Sequence, residues 1–570
     1  MQKKQTILVV ASLLVVVLSV TLAYFTAQII GKRKNVTINS ADLKIIFTDS
    51  DGSISGTNIE PGKWNVTKTF TIENKSNETY KYNIVIQDLV NTFVTNGYLQ
   101  YKITSTNGGY NMTEFKNVPK SETATDTILA YSASIDVGVT QTYTVEFIYK
   151  NDESIDQSED MGKTLSGKLF ITEGTIDTAI YAGYEKGTLG YQIMGDNITR
   201  STRSNNNSGT NDFATPLTAT TTGTLFTSTE NITGITDSPK EVYYYAGNTT
   251  NNWVKFGILA SDGPIRGYDS ANSTKFKEYT TLDECNSASS YNTNCSYAWR
   301  KGDPMYWRII RTNHDGSIRL LYAGANPDTT AGNIGTIAFN KNDNSPKYVG
   351  YKYGEDTSLD TIRNNTTDST IKTYVDNWYK NNLTNYTKYL STSAVYCNDR
   401  SLGTGQTYSA SSDSEFNFAT YYRMDYDTKG AKANPSYNCT DIRDAFSVDN
   451  TSAKLDYPIS LMTADEIAFA GGVAYKKMNT PYAWFDLNSV GSKVSYVWWS
   501  LSPYNLSQFW GPCTSVWSWS SSSDTYLFAY RVSLTYTVRP VLSLKSCVKY
   551  STGDGSATNP YTILETESGC

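Results

Sequence analysis

Histidine is all but missing from this 570-residue chain, which carries only His314. A Ser-His-Asp triad, a Cys-His dyad and a multi-histidine metal site each need an imidazole in reach of a partner. The lone imidazole lies in Asn313-His314-Asp315-Gly316, a turn signal between two β-like runs, and is expected as a solvated turn residue. There is no C-x-x-C pair, so zinc and thioredoxin-type readings have no support. P-loop and nucleophile-elbow spacings are also missing. Charge is sparse, at 18% of residues with a net −6 and no basic stripe, which argues against nucleic acid as a partner. The expectation is a protein that is not an enzyme and needs no metal or cofactor. A carboxylate-pair hydrolase stays open, because such acids leave no local signature.

What the chain does have is 44 Tyr and 11 Trp among abundant Ser, Thr and Asn. Tyr, Thr and Trp suit pleated, half-buried surfaces, and Asn, Ser and Gly suit turns, so the composition is β-rich. The seven cysteines all lie beyond residue 284. Their spacing suggests local staples, Cys285 with Cys295, Cys397 with Cys439 and Cys547 with Cys570, with Cys513 left over. Spacing alone leaves other connectivities open. Disulfides persist in oxidising compartments, consistent with export. Lys3 and Lys4 precede an apolar run from Ile7 to about Ile30, followed by Lys32-Arg33-Lys34. Residues 1–34 therefore read as a signal peptide or a transmembrane anchor. The bulk of the chain is expected on the extracellular face of a bacterial membrane, or secreted.

Residues 35–174 carry short runs of β-formers with period-2 alternation, such as Leu43–Phe47, Lys68–Ile72, Tyr80–Ile86 and Thr142–Phe147. They predict an antiparallel β-sandwich. Asp49-Ser50-Asp51-Gly52 reads as a hairpin turn and not as a calcium loop, because Ile54 stands where an EF-hand needs Gly. Residues 175–240 read as a linker with a possible short helix, ending in Asn- and Thr-rich runs. Residues 241–570 are aromatic-rich. Tyr306–Arg311 and Ser317–Tyr322 form a predicted hairpin across Asp315-Gly316. Helices are predicted at Thr370–Asn382, from the spacing of Ile371, Tyr374, Val375 and Trp378, and after the N-cap Thr463, with Glu466 three residues on and Gly471-Gly472 at the end.

Two resemblances follow. Leu22-Ala23-Tyr24-Phe25-Thr26, and Ile59–Gly62 followed by Thr69–Asn74, resemble camelysin-like and immunoglobulin-like surface proteins. The first domain lacks histidine, so no protease activity is carried over from that class. Trp307–Arg311, Pro458–Glu466, Trp498–Pro503 and Val538–Val541 occur in an order that resembles bacterial surface domains of C-type lectin-like fold, the fold shared with the formylglycine-generating enzyme. The resemblance implies an α+β, non-catalytic ligand-binding domain over 241–570. The calcium-dependent sugar motifs of lectins are absent; Asn326-Pro327-Asp328, the nearest match, reads as a turn. The paired redox cysteines of the formylglycine enzyme have no counterpart.

One stretch stands out between Trp498-Trp499 and Arg539. It carries Tyr504, Phe509, Trp510, Trp517, Trp519, Tyr526, Phe528, Tyr530 and Tyr536 among many serines. Antibody paratopes use this mixture of rigid aromatic contact area and adaptable small polar groups. Trp498, Trp499 and Arg539 are expected as buried structural residues, and the others as ligand-facing. The placement resembles the variable region of diversity-generating retroelement target proteins. The chain is thus expected to be multidomain and to bind an extracellular protein or glycan through 504–537. The alternative is a structural protein of the cell envelope or a biofilm-matrix fibre.

Overall fold

The computed structural model describes residues 35–570 except 41–42, 50–53, 57–60, 77–78, 96, 161–162, 174–180, 205–211, 215–216, 218–222, 273–274, 412–413, 425–432, 477–483, 509–512 and 522–524. The 1–34 segment and most of the Asp49–Gly52 turn lie outside the described residues. Among those described, no helix is long and apolar enough to cross a membrane. The chain divides into two compact units, Met1–Asp177 and Thr178–Cys570, and is built mainly of β-sheet.

Among its described residues the first unit holds ten strands: β1 (Asn35–Ser40), β2 (Leu43–Asp49), β3 (Ile54–Gly56), β4 (Asn65–Asn74), β5 (Tyr80–Asn91), β6 (Leu99–Ser105), β7 (Lys116–Asn117), β8 (Ser121–Ile135), β9 (Thr140–Tyr149) and β10 (Leu165–Glu173). They form two antiparallel sheets, ordered β1-β2-β4-β9-β6-β7 and β3-β10-β5-β8. Alternation along β4 and β9 puts Phe70, Ile72, Tyr143, Val145 and Phe147 inward. They share one core with Tyr82, Ile84, Ile86, Leu169 and Ile171 of the other sheet. The buried Tyr82 and Tyr143 hydroxyls satisfy each other at 2.6 Å.

The second unit starts far upstream of residue 241, and this corrects the linker expected over 175–240. Leu189–Asp196 is a helix capped by Thr188, with Leu189, Ile193 and Met194 buried. Thr199–Thr202 and Thr224–Glu230 pair in parallel, and the latter pairs with Lys240–Tyr244 at the edge of the main sheet. A polar, Asn-rich composition hid the apolar residues, among them Leu225 and Ile232, that anchor this segment.

The predicted hairpin forms, Pro304–Thr312 pairing with Ile318–Gly324, and sits in a ten-stranded mixed sheet. Pro540–Leu544 adds to it, followed by Ile459–Leu461. The helix Thr370–Asn382 starts after the N-cap Ser369, and Ala464–Phe469 starts at a capping box of Thr463 and Glu466. Gly471 has φ +114°, and a Cβ at Gly472 would stand 2.8 Å from the Trp519 ring, so each position favours glycine. A second, six-stranded sheet contains Val497–Ser507, Cys513–Ser521, Thr525–Arg531 and Thr535–Thr537, with Thr336–Ala338 at one edge. The three disulfides join Cys285–Cys295, Cys397–Cys439 and Cys547–Cys570, and Cys513 is a buried free thiol.

Candidate aromatic recognition face

The four motifs of the second unit build its interior. Trp307 is fully buried, with its indole N–H donating to the Phe256 carbonyl at 2.9 Å. Arg308 donates to Asn252 and to the Thr249 carbonyl, and its guanidinium lies 4.2 Å from the Trp253 ring centre. Arg311 is wedged between Glu230 at 2.8 Å and Glu466 at 2.9 Å. Arg319 also reaches Glu466. Burial opposes the charge on Glu230, but Arg311 and His314 outweigh it and hold that carboxyl well below its ordinary range. Arg319 and Arg311 also lower the pKa of Glu466 against its burial. Arg539 is 1% exposed and donates to the carbonyls of Gly332, Phe485 and Tyr322, over the face of the buried Trp498. Its desolvation lowers its pKa, with Asp486 opposing.

His314 corrects a sequence expectation. Its backbone N–H donates to Glu230 at 2.6 Å, its Nδ1 lies 3.2 Å from the same oxygen, and its side chain is only 8% exposed. The turn is docked onto a buried carboxylate, and residues 314–316 are half-buried. Asn326-Pro327-Asp328 is a turn closed by the Asn326 side chain, which accepts from the Asp328 N–H.

The strand Cys513–Ser521 decides which aromatics can meet a ligand. Trp517 and Trp519 alternate with Ser518 and Ser520 along it. Both indoles are fully buried, which corrects their placement on a recognition surface. Trp517 packs beneath Tyr504, ring centres 4.7 Å apart. Trp519 meets Phe485 at 4.7 Å and donates to Asp486 at 3.0 Å. The cause is the strand period: consecutive side chains point to opposite faces, and the bulky ones take the core side. Phe509 and Trp510 lie outside the described residues.

On the other face, Ser518 pairs with Phe528, Ser520 with Tyr526 and Val516 with Tyr530. Paired positions share a face. Small side chains therefore leave room for rings to lie over the sheet. Tyr526, Phe528, Tyr530 and Tyr536 are all half-buried and follow one another with ring centres 5.5, 5.2 and 4.7 Å apart. The row ends on the buried Trp499, 5.2 Å from Tyr536. Tyr475, 39% exposed and at φ +55°, joins from the side, 5.4 Å from Phe528. Its hydroxyl donates to that of the half-buried Tyr504 at 2.5 Å. Sequence spacing missed Tyr475, which lies far from the aromatic stretch and is brought in by the chain following the helix Ala464–Phe469. Tyr530 and Tyr536 are pushed above the ordinary tyrosine pKa, Tyr536 to about 12, chiefly by burial. Both hydroxyls are neutral donors and acceptors at physiological pH.

Two charged clusters look like sites. Asp368, Asp376 and Asp456 bring oxygens within 4.8 Å of one another. The Lys372 ammonium sits among them, at 3.1, 2.6 and 2.7 Å, where a cation would bind. The chamber between Arg311, Arg319, Arg423, Asp399 and Asp465 holds about 20 Å³, room for about one water.

No family model matches this chain, and neither a curated protein nor a solved structure matches it.

Proposed function

We propose that this chain is an exported surface protein that binds an extracellular protein or glycan through the aromatic face of its second unit, and that it is not an enzyme. The carrying observation is the row Tyr526–Phe528–Tyr530–Tyr536, four half-buried rings that follow one another in contact over one face of the second sheet. Rings in that position offer large contact area with little rotamer entropy to lose, and the neutral tyrosine hydroxyls add directional bonds. The three disulfides suit an oxidising exterior. The carboxylates Glu230 and Glu466, both held below their ordinary range, are ion-paired to arginines around a chamber with room for about one water, which favours binding over catalysis. The scaffold reading that best suits the converging motifs is a C-type lectin-like fold, with the row in the place where retroelement-diversified proteins carry variable residues.

The test uses the full chain on glycan and extracellular-protein arrays, beside the triple variant Phe528→Ser, Tyr530→Ser, Tyr536→Ser. The variant is expected to lose the wild-type signals while melting within a few degrees of it. A variant that keeps every wild-type signal would show that recognition lies elsewhere. One observation favours the alternative of a matrix fibre: β8 is a fifteen-residue edge strand. Such an edge can template pairing with another chain. Concentration-dependent polymers in sedimentation, unaffected by the triple variant, would support that role.

A further inference from the structure

An open cleft of about 520 Å³ lies in the second unit, within the roughly 300–1,000 Å³ usual for small-ligand sites. Its floor includes Ile337, the strand partner of Tyr536, so the cleft begins where the aromatic row ends. One wall is the outer face of the helix Thr370–Asn382, with Thr373 and Asn377 exposed and Tyr374 half-buried. The other is Tyr348 and Tyr353, half-buried rings 5.5 Å apart edge to face.

The walls are preorganised. Asn340 is 3% exposed; its amide donates to the Tyr348 carbonyl at 2.7 Å and its oxygen accepts the Thr370 N–H at 3.2 Å. It thereby ties both walls to the floor. The Tyr374 hydroxyl donates to the Ile334 carbonyl at 2.9 Å. A cleft already held in shape loses little entropy on binding. Its lining charges are one lysine, Lys341, and one carboxylate, Asp368, the latter already held by Lys372 and Lys352. The rest is amide, hydroxyl and phenol, groups that both donate and accept.

We infer that this cleft binds a neutral glycan. Pyranose rings offer apolar C–H faces to flat aromatic rings and a rim of hydroxyls that both donate and accept. Tyr348 and Tyr353 supply the first complement, and Asn342, Thr373 and Asn377 the second. An anionic sugar would find only the single exposed ammonium of Lys341 in the lining and no arginine fork, and an apolar ligand would strand the amides. The inference does not depend on the aromatic row being a recognition face.

Saturation-transfer NMR tests it, with the full chain and three neutral probes: N-acetylchitotetraose, cellotetraose and mannotetraose. At least one should receive saturation, and an aromatic-row variant that spares the cleft floor, Phe528→Ser/Tyr530→Ser, should bind it as the wild type does. Asn377→Trp, which fills the cleft from an exposed helix position, and the milder Asn342→Ala/Asn377→Ala pair should each weaken it roughly tenfold. No transfer to any probe, or binding unchanged in both cleft variants, overturns the inference. So does loss confined to the aromatic-row variant, which would put the sugar on that face instead.

Discussion

Glu466 accepts from Arg311 Nε at 2.9 Å with one oxygen, and with the other accepts the backbone N–H of Thr463 at 3.0 Å. One carboxylate thus closes a helix start and neutralises an arginine on the neighbouring sheet. Glu466→Ala should cost about 3–5 kcal/mol, because it leaves Arg311 and Arg319 under-compensated in the interior. Thr463→Ala, which removes only the side-chain cap, should cost about 1 kcal/mol. Denaturant titration of the two variants checks the ratio; equal losses would mean that the ion pairs add nothing to the cap.

The two faces of Cys513–Ser521 predict opposite behaviour. Trp517→Ala empties a fully buried site and should destabilise by about 3–5 kcal/mol. Phe528→Ser, on the half-exposed row, should cost clearly less and act mainly on binding. Thermal melts of both proteins decide this.

Acid should unfold the second unit. Glu230, Glu466 and Asp399 are all held below their ordinary values, against burial, by arginine partners. A depressed folded pKa gives stability that is full above the unfolded pKa of about 4 and is lost as pH falls below it. Asp376 and Asp196 are raised, mainly by burial, and offset part of the effect. Near-ultraviolet circular dichroism should report loss of tertiary signal from about pH 4 downward; a signal flat to pH 2 would refute the sign.

The Cys397–Cys439 bridge closes a segment of sequence separation 42, beside the buried Ile232 and Val395. Chain-entropy reasoning gives it about 4 kcal/mol. The Cys397→Ser/Cys439→Ser variant should therefore melt well below the wild type, and reductant should lower the wild-type melting temperature in the same direction.

Local rules reached the capping box at Thr463, the hairpin across Asp315-Gly316 and the helix Thr370–Asn382, because each is set by residues close in sequence. They failed where distant chain decides. Whether Trp519 faces in or out depends on which side of its strand Phe485 and Asp486 occupy. His314 looked solvated because nothing nearby in sequence announces Glu230, 84 residues away. The 175–240 segment reads as tether by composition, yet a few apolar residues are enough to dock it. The motifs most distinctive in sequence, Trp307–Arg311 and Val538–Val541, turned out to be scaffold, whereas Tyr475 carries no local signal at all.

The alternation of indole and serine along Cys513–Ser521 has one further consequence. The indoles lock the backbone from beneath, and the serines fill little space above it. The outward positions 526, 528 and 530 can then exchange side chains while the indoles beneath keep the strand in place. Such a surface could acquire new specificities through point substitutions while its melting temperature barely moved.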